Sequence, residues 1–186
     1  MILGIIASSI SASKLVNTNF DSIATVTVGS GGSAYAEFTS IPSTYSHIQI
    51  RGIARGADIY SYTNLYVRFN SDTGSNYADH RIQGDGASVA AASNTSATAI
   101  LTTRTTDGAG ASNTFGAFVY DVLDYASTSK YKTYRHIGGV DTNGAGQIWF
   151  SSGLWQSTSA ISTVRIYSGN GNLAQYSHFA LYGIKS

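Results

Sequence analysis

The chain has 186 residues, 42% hydrophobic and 12% aromatic but only 11% charged, with a net charge of +1 and no cysteine. That length suits one domain whose core needs no staples, and the aromatic content is the reverse of a disordered chain's. Charges this few and this scattered exclude a broad field for nucleic acid or anionic lipid, and the missing cysteines exclude a disulfide scaffold or a thiolate-held metal.

The chain begins with "MILGIIASSISAS". Its apolar block, Ile2 to Ala7, lacks the basic flank of a signal peptide and falls far below the ~20 residues that span a membrane. One reading is a first edge strand. The other is a docking peptide that buries Ile2, Leu3, Ile5, Ile6 and Ile10 against a partner subunit, because an apolar run left in water is an association hazard. Residues 1–20 are accordingly expected to form a docking and oligomerisation segment, and residues 21–186 a single domain.

Beyond it no stretch keeps a 3.6-residue period, and period-two alternation recurs. In chain order the runs are "SIATVTV", "AYAEFTSI", "SHIQIR", "NLYVRFN", "ATAILTTR", "TFGAFVYDVL", "KYKTYRHI", "QIWFSSGLW", "TVRIYS" and "HFALYGIK". Glycine-rich pieces at hairpin distance separate some of them: "GSGGS" from Gly29, "TNGAGQ" from Thr142 and "SGNGN" from Ser168. "DYASTSKY" is a short polar connection, and Pro42, the single proline, marks a strand end. The small, polar stretch from Gly84 to Ala99 reads as a long surface loop. About ten strands with turns between them predict an all-β, antiparallel, jelly-roll-like β-sandwich.

Acidic, amide and histidine side chains crowd "YVRFNSDTGSNYADHRIQGDG", Tyr66 to Gly86. An EF-hand loop starting at Asn70 would need a glutamate at its twelfth position, and Glu37 is the chain's only one. A looser calcium site stays as an alternative. The better reading is a strand, a turn built from Asx hydrogen bonds with positive φ at Gly74, and another strand. His47, His80, His136 and His178 have no zinc-type spacing, and the three outside the loop fall in strand patterns as solvated or hydrogen-bonded side chains. No nucleophile elbow, Walker loop or paired glycosidase carboxylates stand out, so no catalytic residue, metal or cofactor is assigned. The sequon at Asn94 matters only in a eukaryotic secretory route. Tyrosines number 13. Tyr60, Tyr62, Tyr66 and Tyr77 near the loop suggest a sugar-binding face made with Asn70, Asp72 and Asn76, set against the plainer reading of half-buried strand tyrosines.

"TSIPSTYSHIQIRGIAR", "LYVRFNSDTGSNYADHRIQGDG", "TFGAFVYDVLDYASTSKYKTYRHIGG", "SGLWQSTSAIS" and the closing "FALYGIKS" resemble virion-associated proteins of tailed bacteriophages, especially phages of marine bacteria and cyanobacteria. The resemblance runs from about Phe38 to Ser186 and takes in the N-terminal "ILGIIASS". It implies a non-enzymatic β-sandwich structural component: a capsid decoration or cement protein, a head fibre or part of a tail fibre. The implied partners are the major capsid protein or other virion proteins and sister subunits, with a trimer common in this setting. The implied location is the virion, after assembly in the host cytoplasm, with no nucleic acid or membrane partner. A receptor- or carbohydrate-binding module contacting host glycan is the alternative, and a depolymerase the third reading.

Overall fold

Where apolar and polar residues alternate, the chain runs extended, as period-two patterning requires when one face of a sheet meets a core. The structure, a computed structural model, describes residues 19–185. Twelve strands follow in order: β1 (Phe20–Thr27), β2 (Ala36–Phe38), β3 (His47–Ala54) and β4 (Tyr62–Phe69). Next come β5 (Tyr77–Gly84), β6 (Val89–Ala97), β7 (Ile100–Thr106) and β8 (Gly116–Leu123). The last four are β9 (Lys132–Asp141), β10 (Gly146–Trp155), β11 (Val164–Ser168) and β12 (His178–Ile184). No described residue is helical.

Two antiparallel sheets form a sandwich. The larger has eight strands in the order β1-β12-β3-β8-β9-β10-β5-β6, the smaller four in the order β2-β11-β4-β7. Between them lies one core, to which Ile48 and Ile50 of β3, Leu65, Val67 and Phe69 of β4, Ile166 of β11 and Phe179 and Leu181 of β12 contribute. Aromatic rings fill its ends. Phe118 stacks on Tyr120 at 4.4 Å, and Trp155 lies 5.7 Å from Phe69 and 6.3 Å from Tyr77, within the range where ring pairs add to area burial. Gly183 of β12 has no room for a side chain, because a Cβ there would run into the Tyr45 ring, which covers the strand.

All ten alternating runs are strands, and the strand expected after the Asn70–Asn76 turn is β5. The surface loop expected from Gly84 to Ala99 is corrected: Val89–Ala97 is the edge strand β6, paired with β5 from Val89↔Gly84 to Ala97↔Tyr77. Both its faces are largely exposed, so no alternation was there to read; backbone pairing holds it, with Asn94 Nδ2 donating to both Asp79 carboxylate oxygens (3.0 and 3.1 Å). Only "TNGAGQ" among the three glycine pieces closes a hairpin, β9 to β10. "GSGGS" and "SGNGN" instead carry the chain from one sheet to the other, since β1 pairs with β12 and β2 with β11. At the Asn70–Asn76 turn the left-handed residues are Asn70 (φ 49) and Ser71 (φ 55) rather than Gly74. Asn carries that conformation with little penalty through its own short hydrogen bonds.

Candidate functional site

The residues of the predicted sugar-binding set separate in space. Tyr60, exposed, and Tyr62 stand at the start of β4, while Asn70, Asp72 and Asn76 follow its far end, ~23 Å along a strand of that length. The loop's polar groups are turned inward on the protein. Asn70 Nδ2 donates to the Ala160 carbonyl (2.8 Å), and its Oδ1 accepts from the Ser162 (2.9 Å) and Thr163 (3.1 Å) amides. Asp72 Oδ1 accepts from the Gly74 amide (2.8 Å), and its Oδ2 from Asn76 Nδ2 (3.0 Å) and Trp155 Nε1 (2.7 Å). The Asn76 and Trp155 bonds hold the Asp72 carboxyl below the usual carboxylate range. Tyr77 is buried in the core, its hydroxyl accepting from the Phe69 amide at 3.1 Å, and burial pushes that phenol up to about 12. This loop is built as a clasp between β4 and β5. Among the described residues no group of three or more His, Asp or Glu side chains converges as a metal site.

His136 departs from its expected environment. It sits on the inward face of β9, 2% exposed, and neither ring nitrogen meets a hydrogen-bond partner among the described residues. Tyr120 meets it edge-on at 5.4 Å and Tyr134 stacks at 6.0 Å. Loss of hydration pushes its pKa down to about 3, so the ring is neutral at ordinary pH.

The strongest surface feature lies on the outer face of the eight-stranded sheet. Directly paired residues place Ile82, Phe150, Ile137 and Val119 in one row across β5, β10, β9 and β8. The next row runs Val89, Gly84, Ile148, Gly139, Ala117 and Ile53 from β6 to β3. Ile53, Ile82, Val89, Ile137, Ile148 and Phe150 are each 44–79% exposed. The missing side chains of Gly84 and Gly139 make this second row a shallow trough, with a volume of about 1250 Å³. Polar groups bound it on the β3 side: Arg51 Nε donates to Gln49 Oε1 (2.6 Å), Gln49 Nε2 to Asp121 Oδ1 (2.7 Å), and the Arg51 guanidinium lies 5.5 Å from both the Phe20 and Tyr182 rings. A contiguous apolar patch with a polar rim is the anatomy of an interaction surface rather than of a solvated face.

Sequence reasoning missed this patch. Its residues come from strands far apart in the chain, and only pairing register unites them. The one local signal was "QIWFSS", where Ile148 and Phe150 flank the inward Trp149, so the alternation has apolar residues on both faces. The outer face of the small sheet differs in chemistry. Tyr66 stacks on Tyr167 at 5.5 Å, the Arg68 guanidinium lies 4.9 Å from the Tyr167 ring, and a recess of about 510 Å³ with Asn94 and Thr98 on its wall adjoins them. The predicted docking residues Ile2, Leu3, Ile5, Ile6 and Ile10 lie outside the described residues. No known family, no curated protein and no solved structure matches the chain.

Proposed function

We propose that this chain is a non-enzymatic structural protein of a phage virion that decorates or cements the capsid surface. Its N-terminal segment, Ile2 to Ile10, anchors it to shell or sister subunits, and the β-sandwich is the projecting body. The observation that supports this most is the apolar outer face of the large sheet, a surface of the kind that proteins cover in assemblies. A charge-poor surface and a cysteine-free chain suit folding in a reducing cytoplasm followed by service outside the cell. Deleting residues 1–13 is expected to abolish incorporation into particles while leaving a β-sheet circular dichroism spectrum and a cooperative melt. Particle-bound protein after that deletion overturns the reading.

A second reading, a glycan-binding fibre module, has one observation in its favour: the Tyr66–Tyr167 pair with Arg68 beside a polar recess. Aromatic planes with nearby hydrogen-bonding groups suit sugar rings. On this reading a panel of host surface glycans shows selective binding that Tyr167→Ala weakens about tenfold. Binding to no glycan, or binding indifferent to that substitution, rejects it.

A further inference from the structure

We infer that the outer face of the eight-stranded sheet is covered by the same face of a second copy of this chain, the two related by a two-fold axis that crosses the strands. The inference deepens the reading above by naming the partner of that face, and it rests on that reading only in taking the face as one that assembly covers.

Beside the two apolar rows runs a polar one, with His80, Ser152, Arg135, Asp121 and Gln49 across β5, β10, β9, β8 and β3. At the opposite border the face ends on two carboxylates, Asp85 and Asp141. Within the apolar rows each strand sets a larger side chain beside a smaller one or a gap: Ile82 and Gly84 on β5, Ile137 and Gly139 on β9. Charge is ordered along the same direction, since Arg135 and Asp141 stand on one face of β9 with Ile137 and Gly139 between them.

A two-fold axis lying in the interface, midway between the apolar rows, turns the face over, keeps each strand opposite its own copy and exchanges the rows. Ile137 of one copy then enters the gap over Gly139 of the other, Ile82 the gap over Gly84, and Phe150 lies over Ile148. The same operation sets Arg135 against Asp141 of the second copy and His80 against its Asp85–Gly86 turn, and symmetry makes each contact twice. Within its own chain Arg135 is exposed and forms no ion pair among the described residues. Asp121, its neighbour across the β8–β9 pairing, accepts from Gln49 Nε2 instead. Arg51 comes over Ile53 and stays at the rim, held by Gln49 and the Phe20 and Tyr182 rings. A two-fold axis along β9 would put Arg135 on Arg135 and Asp141 on Asp141, and facing like charges count against it.

From β6 to β3 the face spans five strand spacings, about 24 Å, and from Arg135 to Asp141 six residues, about 20 Å. That is roughly 500 Å² in projection on each copy, so about 1000 Å² for the pair, the lower end of specific contacts, and a micromolar dimer is expected.

Sedimentation equilibrium of the full chain tests this, with the fold of each variant checked by circular dichroism. The 19.6 kDa chain is expected to reach twice its mass at about 0.2 mM and to dissociate on dilution. Phe150→Glu, at an exposed position, is expected to leave a monomer throughout. Gly84→Leu has room in its own chain, where the nearest atom to an added Cβ is 3.7 Å away, so the weakening expected there reports the filled gap. Arg135→Glu and Asp141→Lys are each expected to weaken the dimer about tenfold, and the two in one chain to restore it, because the exchanged charges face each other again. A monomer at every concentration, a trimer, or a dimer that Phe150→Glu leaves intact overturns the inference. So does a doubly charge-exchanged chain that dimerises no more tightly than either single variant. Because no particle is involved, that failure leaves the virion reading in place, and the deletion of residues 1–13 tests that reading separately.

Discussion

The melting temperature of this protein is expected to fall as pH is lowered from about 6.5 to 4.5, and His136→Leu to remove most of that fall. The folded chain holds His136 neutral, its pKa pushed down to about 3 by burial, whereas in the unfolded chain the ring takes a proton below about 6.5. A depressed pKa means stability that is complete above the unfolded value and lost as pH falls toward the folded one. The slope approaches 1.36 kcal/mol per pH unit, so about 3 kcal/mol disappears by pH 4 as an upper value. Asp72, whose carboxyl is also lowered, adds its loss only below its ordinary value of 3.8, a window beneath that of His136. At pH 7 the leucine variant is expected to match or exceed the parent, since it removes two buried ring nitrogens that meet no partner among the described residues. Thermal melts of both proteins across this range decide the matter. A parent melting temperature flat from pH 6.5 to 4.5 removes the argument.

Replacing Trp155 by alanine is expected to destabilise the chain by about 3–5 kcal/mol, the range for emptying a large buried aromatic site. Trp155 is buried against Phe69 and Tyr77, and its indole N–H donates to Asp72 Oδ2 at 2.7 Å. It therefore ties the end of β10 to the clasp between β4 and β5. Trp155→Phe keeps most of the ring volume but strips Asp72 of one donor, and about 1–3 kcal/mol is expected, since Asn76 and Gly74 still bond the carboxylate. Urea melts at pH 7, followed by circular dichroism because the mutation removes a fluorophore, measure both. Equal losses for the two variants would show that the hydrogen bond rather than the packing carries the site.

Legibility in the sequence followed the reach of each interaction. Val67 and Phe69 alternating with Tyr66 and Arg68 announced a strand with one buried face, and β4 is one. The Asx chemistry of Asn70, Asp72 and Asn76 announced a turn, and Asp72 does accept from the Gly74 amide there, but Asn70 bonds the backbone of residues 160–163 and Asn76 the Asp72 carboxylate. Val89–Ala97 was illegible because a strand exposed on both faces has no pattern to show. His136 read as solvated or hydrogen-bonded because nothing local says that its side of β9 faces Tyr120 and the core. The apolar trough needed the register of six strands at once, information that no window of sequence contains.

β12 stands between β1 and β3, pairing Ile184 with both Phe20 and His47. The first strand of the described chain thus waits for the last, because among the described residues β12 is its only neighbour in the sheet. During synthesis β1 and the adjoining edge of β3 stay open until β12, some 150 residues after β1, has emerged. Such long-range closure belongs to the slow end of folding, when open edges invite neighbours to pair. The interval before β12 arrives is the one in which sister chains can mispair.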